Sequence, residues 1–159
     1  MSSNHETDPT RTAEMPNAQR AEGYRRTMRN LGLEAEIDLV STTYTQQGGY
    51  LGAKELLTRP LRPTAVFAGA DIVAMGVLQA IGEAGLSVPG NLSVAGYDNT
   101  TFAALGPISL TGVDHAGREI GRNAARLLLE RIADRGEPSV QVKLSPTLVE
   151  RRTTARPGE

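Results

Sequence analysis

The apolar positions of the chain switch repeatedly between a helical and a strand-like period. In NAQRAEGYRRTMRNLG, Ala21, Tyr24, Met28 and Leu31 fall at helical spacing, and Gly32 is a C-terminal stop. EIDLV is short and strand-like. QQGGYLGAKELLTRP predicts a helix from about Gly48, despite its glycines, that ends before Pro60. TAVFAG is a continuous apolar run and reads as a buried strand. DIVAMGVLQAIGEAG follows as a helix, with Asp71 at its N-cap position and Gly85 past its end. VPGN turns the chain, LSVAGY is another buried strand, and PISLTGV is a further short one. AGREIGRNAARLLLERIADRG carries the strongest helical stripe, through Ile120, Ala124, Leu127, Leu128, Arg131 and Ile132, closed by Gly136. VQVKLSPTLVERRTT alternates like one or two edge strands.

Short, continuously apolar strands separated by helices predict an α/β fold, a mostly parallel sheet with helices on both faces. Residues 1–16 are polar, contain Pro9 and Pro16, and have no periodicity, so they are expected to form a disordered lead-in. Residues 17–155 form the folded part, and residues 156–159 a frayed tail. In such sheets ligands gather at the carboxyl ends of the strands. The loops of interest are therefore GAD after one strand, GYDNT after the next and VDHAG after the third.

Composition narrows the chemistry. The 159 residues suffice for one domain, and with 4% aromatics and no Trp its core must be aliphatic. The net charge is -1 and the 17 basic residues form no block, so no phosphate-binding surface is expected. Without cysteine there is neither a disulfide framework nor a thiolate metal site. No leader-like apolar segment opens the chain and no run is long enough to span a bilayer, which leaves a cytoplasmic protein with no membrane partner as the expectation. There is no nucleophile elbow, phosphate loop or metal-ligand spacing. Asp71, Asp98 and His115 could form an acid-base trio, but acidic groups in ligand loops serve hydroxyl binding equally well. The expectation is a binding protein rather than an enzyme, with no cofactor and no metal.

Several stretches together carry a specific resemblance: RAEGY at 20–24, GGY at 48–50, RPTAVFAGADIVAMGVLQAIGEAGLSVPGNLSVAGYDNT at 62–100, ISLTGV at 108–113, GREIGRNAARLLLERI at 117–132 and TLVERRTT at 147–154. The chain resembles the lactose/galactose repressor (LacI/GalR) family of bacterial transcription regulators, from about Ala18 to Ala155. The resemblance implies a type I periplasmic-binding-protein-like fold, here incomplete, and a small-molecule effector, sugar-like or purine-like. It also implies a homodimer, formed partly through the helix starting at Asp71 and the loop near Phe102 to Pro107. Operator DNA is a partner only if a helix-turn-helix lies upstream. A solute-binding protein of a transport system is the alternative within the same architecture.

Each candidate ligand residue has a plainer role beside it. Asp98 matches the family aspartate that bonds effector hydroxyl or ring N–H groups; otherwise its oxygen closes an Asx-turn on the backbone two residues on. Arg20 matches an effector-contacting arginine, or is a solvated first-turn arginine. Tyr44 matches an aromatic that stacks on effectors, or packs in the core or rim. Asp71 caps its helix or touches ligand, and His115, where the family commonly carries a polar residue such as Gln, contacts ligand or serves the surface or hinge. Two family contacts are missing. Ala70 replaces an often effector-binding Asn, and Gly117 stands where an aromatic can close over the ligand.

The resemblance also exposes two structural gaps. The central first strand of the family's sheet corresponds here to NHETDPTRTAEMP, which cannot be a core strand, so the sheet should have a hole beside its middle. The helix at 116–134 packs in intact members on a subdomain mostly absent from this chain, leaving its large apolar side chains uncovered. The 159-residue chain is therefore expected to self-associate, to be unusually dynamic, or to need a partner for stability. Calorimetry checks this: a dilute monomer that melts in one sharp peak would contradict it.

Overall fold

The computed structural model describes residues 16–133 and 138–156. The expectations for residues 1–15, for Gly136 as a helix stop and for residues 157–159 lie outside the described residues. The chain divides into two compact units, Met1–Ser41 and Thr42–Glu159.

In the first unit, helix α1 spans Pro16–Asn30 and buries none of its residues. It ends as the sequence indicates. Gly32 adopts φ +72°, its N–H donates to the Arg29 carbonyl, and Leu33 N–H reaches back to Met28, which closes a Schellman motif. A short 3-10 turn, Glu34–Glu36, follows. The strand expected at EIDLV (36–40) does not form: Glu36 ends the 3-10 turn and 37–40 has no ladder partner among the described residues. Strand propensity alone does not hold an unpaired segment extended.

The second unit contains helix α2 (Gln46–Leu57), strand β1 (Ala65–Phe67), helix α3 (Asp71–Glu83), strands β2 (Ser93–Tyr97) and β3 (Thr111–Asp114), helix α4 (Gly117–Ala133) and strand β4 (Thr147–Val149). The sheet has the order β1-β2-β3-β4, parallel except for the antiparallel β3–β4 pair. It is the mostly parallel sheet with helices that the sequence predicts, with two corrections to its strands and an edge strand in the tail as expected. TAVFAG is not a buried strand: β1 pairs only with β2, and as an edge strand it leaves Phe67 46% exposed. PISLTGV becomes strand only at Thr111, because Ser109, with φ +48°, turns the chain first. The tail contributes one short strand, and the segment beyond it crosses the start of the sheet, where Thr153 accepts N–H bonds from Val94 and Thr111.

α3 is the centre of the core. Val73, Ala74, Val77, Ala80 and Ile81 are buried with Leu92, Val94 and Leu110. α2 starts at Gln46, two residues before the sequence-based estimate, because Thr45 Oγ1 accepts Gly48 N–H at 2.9 Å and caps it. The glycines that made α2 look weak permit backbone contact with α3. A Cβ at Gly49 would overlap the Val73 carbonyl, and one at Gly76 would overlap the Gln46 carbonyl. α3 ends in a second Schellman motif, with Gly85 at φ +70° and Leu86 N–H bonded to Ile81. α4 differs from both: it buries no residue, and Leu128, Leu129 and Ile132 are each at least 60% exposed. No helix among the described residues is long and apolar enough to cross a membrane.

Gly76→Ala should destabilise the chain by about 1–3 kcal/mol through overpacking, against the gain of up to about 1 kcal/mol that alanine brings to a helix interior. Gly82→Ala, in the same helix with nothing within 4 Å of the added methyl, should be neutral or stabilising. Urea unfolding of the two variants measures both, and equal effects would refute the backbone-contact account.

Candidate functional site

The carboxyl edge of the sheet is built from three loops. After β1, Ala68 N–H still bonds to Ala95, and then Gly69 passes under the Tyr44 hydroxyl, which lies 2.7 Å from where a Cβ would sit. Tyr44 itself is half exposed. The residue before α3 is extended Ala70, which makes no side-chain cap, so Asp71 is the first helical residue and not the N-cap the sequence suggested. Its carboxyl group turns instead towards the loop after β2. Oδ2 accepts both the N–H and the hydroxyl of Thr100, each at 2.7 Å. Asp71 has no exposed surface.

The loop after β2 leaves the ladder in a rarely adopted conformation. Asp98 N–H still donates to Val113 at 2.9 Å, yet Asp98 has φ +111° and Asn99 φ +52°. Thr100 N–H, the donor an Asx-turn at Asp98 would use, is held by Asp71. From β3 comes His115, whose Nδ1 lies 3.7 Å from Asp98 Oδ1, with both side chains over one-third exposed or close to it (35% and 38%). The imidazole stacks on Tyr97, with ring centroids 5.7 Å apart and planes inclined by 12°. Gly117 makes room for it, since a Cβ there would come within 3.0 Å of His115 Nε2.

A polar network that the sequence did not single out supports this edge. Asp114 closes the Asx-turn, accepting Ala116 N–H on Oδ1 at 2.7 Å. Its Oδ2 accepts the Asn99 amide at 3.0 Å, and Asn99 Oδ1 in turn accepts Arg151 Nη2 at 2.5 Å. Arg151 Nη1 also donates to the Leu110 carbonyl. The Asn99 amide, chiefly, and the Ala116 N–H hold the Asp114 carboxyl below the usual aspartate range, with His115 nearby adding to the effect against a desolvation penalty. Among the described residues, no group of three or more His, Cys, Asp or Glu could hold a metal ion.

Residues 7–154 match the family described as the periplasmic binding protein-like domain. The chain belongs to that family. Within it the relatives are transcription regulators of the LacI type. The HTH-type transcriptional repressor PurR of Erwinia tasmaniensis is 41% identical over 117 residues, covering 74% of this chain and 34% of the repressor. A LacI transcriptional regulator from a Rhodococcus species is similar in structure, with a TM-score of 0.80 at 33% identity, over 87% of this chain and 50% of that one. A LacI-family regulator from Enterococcus faecium, solved with bound ribose, gives a TM-score of 0.79 at 32% identity, over 86% and 50%. The chain thus spans about a third of the length of the curated relatives it matches, and half that of these solved structures.

On this periplasmic-binding-protein-like scaffold, Tyr44, Asp71, Asp98 and His115 all stand on segments that meet the carboxyl edge, and Arg20 stands on α1 in the other unit. Thr100, Asn99, Asp114 and Arg151 were missed as individuals, although each lies in or beside a stretch read as important. Only the Asp-x-Ala turn of Asp114 is local enough to be found from sequence; Arg151 and Asn99 are 52 positions apart.

Because the Asp114 value is lowered by folding, its network contributes fully above the ordinary carboxylate range, near pH ~3.9, and is lost as pH falls through the lower folded value. An NMR titration of the Asp114 carboxyl should give a midpoint below that range, and Asn99→Ala should move it upwards. A midpoint unchanged by the substitution would remove Asn99 as the main cause.

Proposed function

We propose that this chain is the effector-binding and dimerisation portion of a LacI/GalR-type transcription regulator that acts in the cytoplasm. Its ligand is a small polar metabolite, sugar-like or purine-like, taken at the carboxyl edge of the sheet. Asp98 accepts hydroxyl or N–H donors from the ligand, His115 adds a second polar contact, and Tyr44 offers an aromatic face to C–H surface. The observation that carries this reading is the placement of Asp98. Its backbone stands at φ +111° at the end of β2 and faces His115, while the N–H that would make it an ordinary turn residue is bonded to Asp71.

The regulator relatives favour this reading over a transport-type binding protein, and the ribose complex of the Enterococcus faecium relative supports a sugar-like ligand. DNA recognition would come from a part of the regulator outside the matched region. Nothing in the site calls for covalent chemistry: binding of ligand donors accounts for Asp98, and the buried Asp71, which the sequence also offered as a ligand contact, is engaged by Thr100 instead.

Titrating D-ribose into the 15N-labelled chain tests the proposal. Shifts should concentrate at Asp98, His115 and their neighbours, and Asp98→Asn should weaken binding by about tenfold or more, the value of a charge-assisted hydrogen bond. Shifts confined to other surfaces, or an affinity indifferent to Asp98→Asn, would overturn it.

A further inference from the structure

The geometry points to Asp71 as a positioning residue: by clasping Thr100, it fixes the left-handed backbone of Asp98 and so presents the Asp98 carboxylate to the ligand. This rests on the reading of Asp98 as a ligand contact.

Three observations converge on Asp71. It has no exposed surface, so it is closed to solvent and acts through its neighbours. Its Oδ2 takes both donors of Thr100, the residue that ends the strained pair Asp98–Asn99. Its Oδ1 makes no hydrogen bond and lies against the sheet at Gly96, where a Cβ would sit 2.5 Å away; Gly112, the register partner of Gly96, leaves space on the next strand. The carboxyl group therefore fills a hollow that the missing Cβ of Gly96 provides, with Gly112 at ordinary contact distance beside it. A helix-capping aspartate needs neither glycine and would bond its own helix, which Asp71 does not. The arrangement instead ties the start of α3 to the far side of a two-residue stretch of positive φ, a conformation that persists only when its surroundings over-determine it.

The clasp sets the carboxylate's position in the same way for any ligand. Two bonds to one oxygen fix both the direction and the distance of Thr100, so Asp98 and Asn99 are held between the β2–β3 ladder on one side and Asp71 on the other. Loss of either bond lets Asp98 relax towards an extended backbone and swings its side chain away from His115.

The test uses the full chain with three near-isosteric changes. Thr100→Val removes the hydroxyl, Asp71→Asn removes the charge, and Thr100→Ser keeps both donors. Asp71→Asn and Thr100→Val should each speed hydrogen exchange at the residue-100 amide about tenfold or more, the loss of one charge-assisted bond. The HN–Hα coupling of Asp98 should move from its left-handed towards an extended value, while Val94 and Val113 amides stay protected and Thr100→Ser matches the parent. D-ribose affinity should fall with the same two variants, and the fall should vanish in an Asp98→Asn background. An Asp98 coupling unmoved by both variants refutes the clasp. A ribose loss that persists in Asp98→Asn refutes the route through Asp98. If the parent binds no ribose, the sugar reading of the site fails, and the Asp98 coupling still decides whether Asp71 sets this turn.

Discussion

A carboxyl group with no exposed surface is costly to a small domain unless its surroundings satisfy it. The sequence around Asp71 does so for one of its two oxygens, Oδ2, while Oδ1 makes no hydrogen bond. Gly96, which stands opposite Gly112 in the β2–β3 register and would otherwise weaken the middle of a sheet, leaves the space that Oδ1 fills. Thr100 supplies two donors to a single oxygen. One side chain thereby joins the first turn of α3, the two central strands and the loop that leaves them. The positive φ angles of Asp98 and Asn99 are tolerable because that loop is held at both ends, by the ladder bond to Val113 and by Thr100.

What was legible in the sequence was what local physics decides. Gly32 and Gly85 marked helix ends because the Schellman motif needs φ > 0 at one position, and both adopt it. β2 and α3 were legible because a continuous apolar run and a helical stripe each bury what they appear to bury. EIDLV and TAVFAG were misjudged for one shared reason. A strand's existence and burial depend on its neighbours in the sheet, and residue type says nothing about whether those neighbours are in place. The site divides in the same way. The sheet-edge rule located Asp98 and His115, but the bonds from Asn99 to Asp114 and Arg151 join segments 15 and 52 positions apart. No pattern within a window reveals such a network.

α4 shows the limit of periodicity from the other direction. Its stripe through Ile120, Leu128 and Ile132 is the clearest helical pattern in the chain, yet these side chains are 48%, 60% and 65% exposed. An amphipathic pattern records a surface selected to be covered, and full burial of one such side chain is worth roughly 1.5–3 kcal/mol. The helix forms all the same, held by its own ladder and by surface pairs such as Arg126–Glu130 and Arg122–Glu119, which contribute little each. The contrast with the tightly packed α2–α3 pair separates the residues that fold this unit from an apolar face that stays exposed.

The departures from the family pattern acquire a physical sense once the edge is assembled. Ala70 is buried and extended, so the β1–α3 loop offers no side-chain amide to a ligand. Gly117 removes an aromatic cover but admits the His115 ring, which lies flat on Tyr97 and beside Asp98. The edge thereby exchanges a side-chain amide and an apolar lid for an imidazole, which both donates and accepts, backed by a phenol ring. Such a site gains polarity on the β3 side and loses it on the β1 side, where Tyr44 over Gly69 is the feature that remains. On the proposed reading of this edge as a ligand site, the hydrogen-bonding groups of the ligand turn towards β2 and β3 and its C–H surface towards β1, an orientation set by which strand supplies which chemistry.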